Sequence, residues 1–570
     1  MATSIAERAE NLRKYLHSNG LQAFIFPSTD PHQGEYVPAH WQTRQWISGF
    51  DGSAGTAVVT LTDAALWTDS RYYIAATQQL QGTPFSLMKD GLPATPTIPE
   101  WLCSQLKEGD EVGIDGEVYT ATDIKALREE LARTGIRLRT DLDPARTLWT
   151  DRPPIPKHKV EIQPLTFAGE SAESKIERVR QALREQQADH LVVSTLDDIA
   201  WLLNMRGSDV HCNPVFVSYV LITQHDATLY IDSDKLTPDT ENYLHSIGVS
   251  IQPYRRPTPD STMTEATRNP IPSMKAIKND AEVEGFRQAM LRDGVAMVKF
   301  LCWLKEAVPT GQETEMSINR KLTALRAEQP HFRGLSFDTI AAYADHGAIV
   351  HYEATPENNA VLQPRGLLLL DSGAQYQDGT TDITRTIPLG PLTHEERLDY
   401  TLVLKGHIRL ALTRFPDGIS GTQIDALARY AMWQHGLNYG HGTGHGVGSF
   451  LCVHEGPHQI RHSWKPAPLH AGMTVTNEPG IYRPGKHGVR IENTMLIVAD
   501  GQTEFGSFLR LEPLTLCPID TSPILPNLLT DDEVAYLNAY HKKVADALSP
   551  FLTDSERSWL NNQCSMVNAQ

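Results

Sequence analysis

The chain has 570 residues, 40% of them hydrophobic and 21% charged, an ordinary globular composition but too much chain for one hydrophobic core, so about three or four folding units are expected. Its 51 basic and 69 acidic residues leave a formal charge of −18, which argues against a general affinity for nucleic acid or anionic membranes. The longest apolar runs, such as GLLLL at 366–370, fall far short of the roughly eighteen residues that a membrane span requires.

The first predicted element is a helix. MATSIAERAENLRKYLHSNG sets Ile5, Leu12 and Leu16 against Glu7, Arg8, Glu10, Arg13 and Lys14, and closes at Gly20. It lacks the apolar centre of a signal peptide, so a cytoplasmic protein is expected. The strand LQAFIFPS follows, and AALWTDSRYYIAA reads as a later strand of the same α/β unit. The Pro-rich, polar stretch TDRPPIPKHKVEIQPL has the composition of a connection and ends a first domain, residues 1–150. From Ser174 the plan restarts with a helix, the short strand HLVVS and a second helix, so residues 151–279 are read as a second α/β domain of related design. A further Pro-rich bridge leads to AEVEGFRQAMLRDGVAMVKFLCWLKEA, whose apolar residues recur at helical spacing; it opens a third domain, residues 280–510. The tail, residues 511–570, carries the helix DDEVAYLNAYHKKVADALSPFL, expected to dock on its own domain or on a partner subunit. Fold class is therefore α/β (α+β). Six cysteines (Cys103, Cys212, Cys302, Cys452, Cys517 and Cys564) are scattered singly and read as reduced, mostly buried thiols.

The chemistry concentrates in the third domain. HGTGHGVGSFLCVHEG holds His441, His445 and His454, but Gly442, Gly444, Gly446 and Gly448 would each cost a helix about 1 kcal/mol, so the stretch is predicted extended or looped. In GLLLLDSGAQYQDGTTDITRTIPLG the leucines form a buried strand ending at Asp371, SGAQYQDG is a turn-rich loop, and Asp382 falls in a second, β-branched strand. Two antiparallel strands would aim both carboxylates into one cavity. In TVTNEPGIYRPGKHGVRIENTMLIV, Glu478 ends a strand before a Pro-Gly turn and Glu492 lies within the β-like run VRIENTMLIV. Four acids beside apolar strands are costly to bury as free charges, so a cation is expected to compensate them. Two divalent ions balance four carboxylates and one neutral imidazole completes the shell. Such an oxygen-rich set favours Mn²⁺ over a cysteine-bound structural zinc. Only one of the three histidines is then required as a ligand.

DSGAQYQDGTTDITRT, HGTGHGVG, NEPG and GVRIEN, in that order, resemble the metal-binding motifs of the pita-bread metallopeptidases, most closely the three-domain P-type branch of the aminopeptidase P (Xaa-Pro aminopeptidase) family. The likeness extends to FIFPSTDPHQGEYVPAHWQTRQWISGFDGSAGTAVV, LWTDSRYY and GLSFDTIAAYADHGAIVHY, leaving the middle domain least distinctive. It implies two related N-terminal α/β domains before a pita-bread catalytic domain. It also implies two divalent metal ions, Mn²⁺ first with Co²⁺ or Zn²⁺ as alternatives, held by Asp371, Asp382, His445, Glu478 and Glu492, of which Asp382 and Glu492 bridge. By the same resemblance His454 stabilises the oxyanion or orients the peptide, Glu478 shuttles a proton, and Arg71, His351, His441, Tyr482 and Arg490 contact substrate, the last two as candidates for a proline pocket and transition-state contacts. The implied reaction removes the first residue from peptides with proline second, and the implied oligomer is a homodimer. Prolidase-type cleavage of Xaa-Pro dipeptides is the rival within the same scaffold. A non-catalytic protein-binding module is the rival from another class, and the presence of all five ligands speaks against it.

Overall fold

In the computed structural model residues 4–567 are described. The extreme ends of the expected first helix and of the C-terminal tail, Met1–Thr3 and Asn568–Gln570, lie outside them. Helix Ile5–Ser18 starts at Ser4, whose hydroxyl accepts from Glu7 N while the Glu7 carboxylate accepts from Ser4 N, so two otherwise unpaired helix-end donors are satisfied reciprocally. Leu12 and Leu16 pack with Phe24, Phe26 and Val59 beneath a six-stranded sheet.

That sheet runs, edge to edge, Ser86–Lys89, Ala64–Thr68, Thr56–Thr60, Ala23–Phe26, Glu111–Ile114 and Arg137–Arg139. The second sheet runs Val249–Gln252, Ala227–Ile231, Ser218–Thr223 and His190–Val193. Both use one plan. Helix and strand are followed by a short helix, then two antiparallel strands, then a helix and a strand that adds parallel to the edge. One element differs from the reading of AALWTDSRYYIAA as a strand: extended structure stops at Thr68, and Tyr73–Gln79 is a helix. Its entry is turned by Asp69, whose Oδ1 accepts from Arg71 N at 3.0 Å.

Beyond helix Asp280–Ala307, Leu367–Ser372 lies between Ile340–Tyr343 and Ile383–Pro388, and a four-stranded sheet orders Arg414–Pro416, Gly506–Pro513, Asn493–Thr503 and Thr474–Asn477. The SGAQYQDG segment is no open loop. Ala374–Tyr376 pairs with Gly379–Thr380, and with Phe332–Leu335 on its other side. The run VRIENTMLIV is likewise two strands, His487–Arg490 and Asn493–Thr503, because the chain changes partners there from Gly480–Arg483 to Thr474–Asn477. Glu492 sits at that break. The tail helix Asp531–Leu548 docks on its own domain: Leu537, Tyr540, Val544 and Leu548 join Val295, Val298, Leu404 and Ile408 in one cluster.

Candidate active site

Strand register brings the four acids together. Asp371 stands opposite Thr384, and Ser372 opposite Ile383, so Asp371 and Asp382 share one end of the hairpin. Asn477 stands opposite Asn493, which places Glu478 and Glu492 just past the end of that ladder. The two hairpins are tied where Glu492 N donates to Thr384 O at 3.0 Å and Thr384 Oγ1 donates to Glu492 Oε2 at 2.7 Å. His445 lies on the short strand Gly444–Gly446, fixed by His445 N donating to Thr476 Oγ1 at 3.1 Å and by Glu478 N donating to Thr443 O at 2.8 Å. The glycine before it is a spatial necessity: a Cβ on Gly444 would lie 1.9 Å from Thr476 O.

The electrostatics of this cluster are incomplete without a cation. His445 Nδ1 donates to Gly446 O at 2.8 Å, so its other nitrogen carries a lone pair; burial, with the charge of His454 behind it, depresses this imidazole to about 3 and keeps it neutral. That lone pair faces Asp382 Oδ2 at 3.5 Å and Glu478 Oε1 at 3.6 Å, acceptor against acceptor. Donor atoms of Asp382, His445 and Glu492 all lie within 4.8 Å of one another. Burial and mutual repulsion push Asp382 and Glu492 well above the carboxylate range and Glu478 up to about 7. Asp371 Oδ2 accepts from Arg490 Nη2 at 2.7 Å, but Asp371 Oδ1 is buried with no hydrogen-bond partner. Four carboxylates against one guanidinium is an uncompensated charge, and the unprotonated nitrogen, the orphaned oxygen and the oxygen-rich donor set all fit divalent ions.

Arg71, His351, His441, His454 and Arg490 line one cavity of about 1370 Å³ around this cluster, and Tyr482 stands outside its lining. Arg490 Nη1 donates to Tyr482 OH at 2.7 Å, and Tyr482 OH donates to His441 Nε2 at 2.8 Å, since His441 Nδ1 is engaged with Gly442 O at 2.7 Å. Burial and Arg490 hold His441 at about 3 and neutral. All three donor nitrogens of Arg490 are committed within the protein, the third to Thr384 Oγ1 at 3.2 Å. Its guanidinium lines the cavity and joins Asp371 to Tyr482. His351 Nδ1 meets Tyr72 OH at 2.7 Å. Arg71 faces the cavity on a fork to Asp69, at 2.9 and 2.7 Å. His454 packs edge-on against His445, ring centroids 4.4 Å apart, and its Nδ1 lies 3.0 Å from Glu35 Oε2. Burial would lower the basicity of His454, but the Glu35 charge overrides it and raises the group to about 9; the reciprocal charge of His454 overrides burial at Glu35 and takes that carboxyl to about 2.

Glu35, Tyr36 and Tyr72 were not singled out from the sequence. All three come from the first domain, Tyr36 OH approaching His454 Nδ1 at 3.3 Å. Their only signal in the sequence is membership of the phrases GEYVP and SRYY. The middle domain contributes by holding the segment that carries His454: Arg206 donates to Ser449 O at 3.0 Å and Asp197 Oδ1 accepts from Cys452 N at 2.9 Å. Burial pushes the Cys452 thiol well up, away from nucleophilic use.

Residues 8–146 and 151–264 each match the Creatinase/Prolidase N-terminal domain, residues 284–499 match Metallopeptidase family M24, and residues 507–567 match the C-terminal region of peptidase M24. The Xaa-Pro aminopeptidase 1 of Dictyostelium discoideum is 39% identical over 98% of this chain and 96% of its own. The chain belongs to metallopeptidase family M24. Among its M24 relatives, the Aminopeptidase P1 of Arabidopsis thaliana is 36% identical over 99% of this chain and 100% of its own. The X-prolyl aminopeptidase of Caenorhabditis elegans, described as a cytosolic enzyme with a di-nuclear active site, superposes with a TM-score of 0.95 at 35% identity, covering 99% of this chain and 100% of that one. The architecture is thus that of an M24 enzyme throughout: two related α/β domains, then the pita-bread domain.

Proposed function

We propose that this chain is a metal-dependent aminopeptidase that releases the N-terminal residue from peptides with proline in the second position. The observation that carries the reading is a set of four carboxylates, Asp371, Asp382 and Glu492 buried and Glu478 half-buried, beside an unprotonated His445 nitrogen that faces oxygen acceptors at 3.5 and 3.6 Å, at the floor of a cavity walled by all three domains. Asp371, Asp382, His445, Glu478 and Glu492 hold two divalent ions, Mn²⁺ by the oxygen-rich donor set, with Co²⁺ and Zn²⁺ as alternatives. When bound, such ions activate water at neutral pH and polarise the carbonyl.

The protein's own groups do the rest. Glu478 takes a proton from the attacking water at Oε2, the oxygen on the His441 side, and returns it to the prolyl nitrogen as the C–N bond breaks. His454, held as an imidazolium by Glu35 on Nδ1, offers its other N–H to the substrate oxygen as negative charge develops. Tyr72 OH, itself held by Ser53 N at 3.1 Å and Ser53 Oγ at 2.7 Å, fixes His351 through Nδ1 at 2.7 Å and so directs the other ring nitrogen to the peptide. Arg71 closes the cavity from the first domain. His441 offers a wall for the proline ring, Tyr482 holds the His441 ring through its hydroxyl, and Arg490 orients both Tyr482 and Asp371. A prolyl nitrogen offers no N–H, so peptidases that bind that hydrogen discriminate against it; a shaped wall makes the same feature selective.

The cavity exceeds the space a dipeptide needs, which favours a peptide substrate over the prolidase reading. Comparing a tripeptide with proline second against the corresponding Xaa-Pro dipeptide tests this; preferential dipeptide hydrolysis refutes it. A homodimer is part of the proposal and rests on Tyr430 and Trp433, 52% and 46% exposed on helix Thr422–Trp433; the tail helix no longer supports it, since its apolar face is used within its own domain. A cytoplasmic setting is proposed from the six free cysteines and the cytosolic description of the C. elegans relative. Among the described residues no helix is long and apolar enough to cross a membrane.

A further inference from the structure

At the mouth of the cavity a middle-domain turn and a catalytic-domain loop meet. His211 and Cys212 come from the turn closed by the Val210–Asn213 bridge, and Asp338 from the segment before strand Ile340–Tyr343; all three line the cavity. His211 Nε2 lies 2.9 and 3.1 Å from the two Asp338 oxygens. With the thiol of Cys212, the three donor atoms lie within 4.8 Å of one another. Their backbones are anchored from below. Buried Asp209 pairs with Lys235 and accepts from Val217 N at 2.7 Å, and Cys212 O accepts from Gln375 Nε2 at 3.1 Å, which also donates to Leu451 O at 2.8 Å.

An exposed His–Asp pair contributes little to stability and needs no sulfur beside it. The added thiol changes the chemistry of the group. One imidazole nitrogen, one thiolate and one carboxylate oxygen are a borderline-soft set, unlike the all-oxygen-plus-imidazole set on the cavity floor, and three protein ligands leave a fourth tetrahedral position open. We propose that His211, Cys212 and Asp338 form a separate metal site at the mouth of the cavity, taking a zinc-type divalent cation with its open position toward the cavity. An ion there ties the middle domain to the catalytic domain across the entrance. The proposal stands on these side chains alone and not on the reaction assigned to the floor of the cavity.

The test uses the full-length protein, loaded with Mn²⁺, desalted, and titrated with Co²⁺ under reducing, oxygen-free conditions while near-ultraviolet absorption is followed. The floor of the cavity offers no sulfur, so thiolate-to-cobalt charge transfer there is impossible. The expected result is a band that saturates at one equivalent per chain, is abolished by added Zn²⁺, and is missing from Cys212→Ser. His211→Ala and Asp338→Asn should each weaken Co²⁺ binding by more than about tenfold. A wild-type protein with no such band, or a band that survives in Cys212→Ser, overturns the proposal. So does a binding curve unmoved by both His211→Ala and Asp338→Asn, an outcome that can be read even if Cys212→Ser proves unstable.

Discussion

Replacing Gly444 by Ala perturbs the site by a single methyl group. That Cβ would stand 1.9 Å from Thr476 O, so strand Gly444–Gly446 must move away from Thr474–Asn477 by more than about 1 Å before the contact becomes tolerable. The two segments carry His445 and, one residue beyond Asn477, Glu478, whose Nε2 and Oε1 are 3.6 Å apart. An opening of that size pulls two proposed ligands out of register. A misplacement of about 1 Å costs on the order of a hundredfold in rate. Overpacking of a close contact costs about 1–3 kcal/mol in stability. The assays are metal content by elemental analysis, cleavage of an Xaa-Pro-Xaa peptide and thermal melting with and without Mn²⁺. We expect a folded protein with weakened metal binding and kcat/KM lowered about a hundredfold. A variant that binds metal as tightly as wild type and cleaves at full rate would refute the inference that this strand contact sets the site's geometry.

Other perturbations separate the roles assigned here. His454→Gln is expected to lower kcat by about a hundredfold to a thousandfold with metal content unchanged; Glu35→Gln, which removes the charge that keeps His454 protonated, should move the alkaline loss of activity to lower pH. Arg490→Met removes the only guanidinium bonded to Asp371, and breaking so buried a pair costs about 3–5 kcal/mol. Because divalent ions also compensate Asp371, its melting deficit should be larger in chelator than in Mn²⁺, and an equal deficit would contradict that role. Lys175 gives a pH test remote from the site: burial depresses it to about 7 where it donates to Trp201 O and Asn204 Oδ1 at 3.0 and 2.7 Å. The folded protein then binds fewer protons than the unfolded chain between pH 7 and the ordinary lysine range, so its stability rises with pH there. Wild-type stability should rise relative to that of Lys175→Met from pH 7 to 9 in chemical denaturation, and a relative stability that stays flat or falls would show the amine to be charged in the fold.

Legibility of the sequence followed the range of the interactions. Asp371, Asp382, Glu478 and Glu492 were visible because each ends or interrupts a local apolar pattern, and adjacent strands then bring them together by register. VRIENTMLIV looked like one strand because apolar, β-prone residues flank Glu492 on both sides; the switch of partner at Ile491–Glu492 depends on Pro479 ending the neighbouring ladder, which local composition cannot reveal. SGAQYQDG looked like a loop because a strand of three residues is too short to show a period. Glu35 meets His454 from 419 residues away, and no local periodicity encodes that pairing. The fate of the tail helix was open for the same reason: its apolar face was legible, but the surface that covers it lies on elements far away in sequence.

Asp371, Asp382, Glu478 and Glu492 crowd negative charge that divalent ions compensate. The most direct measurement strips the protein with chelator and titrates Mn²⁺ back while melting temperature and cleavage of an Xaa-Pro-Xaa peptide are followed together. The account predicts a destabilised, inactive stripped protein whose stability and activity both return and level off at two bound ions per chain in the Asp371, Asp382, His445, Glu478 and Glu492 site. A stripped protein that keeps its melting temperature and its full peptidase activity would contradict it.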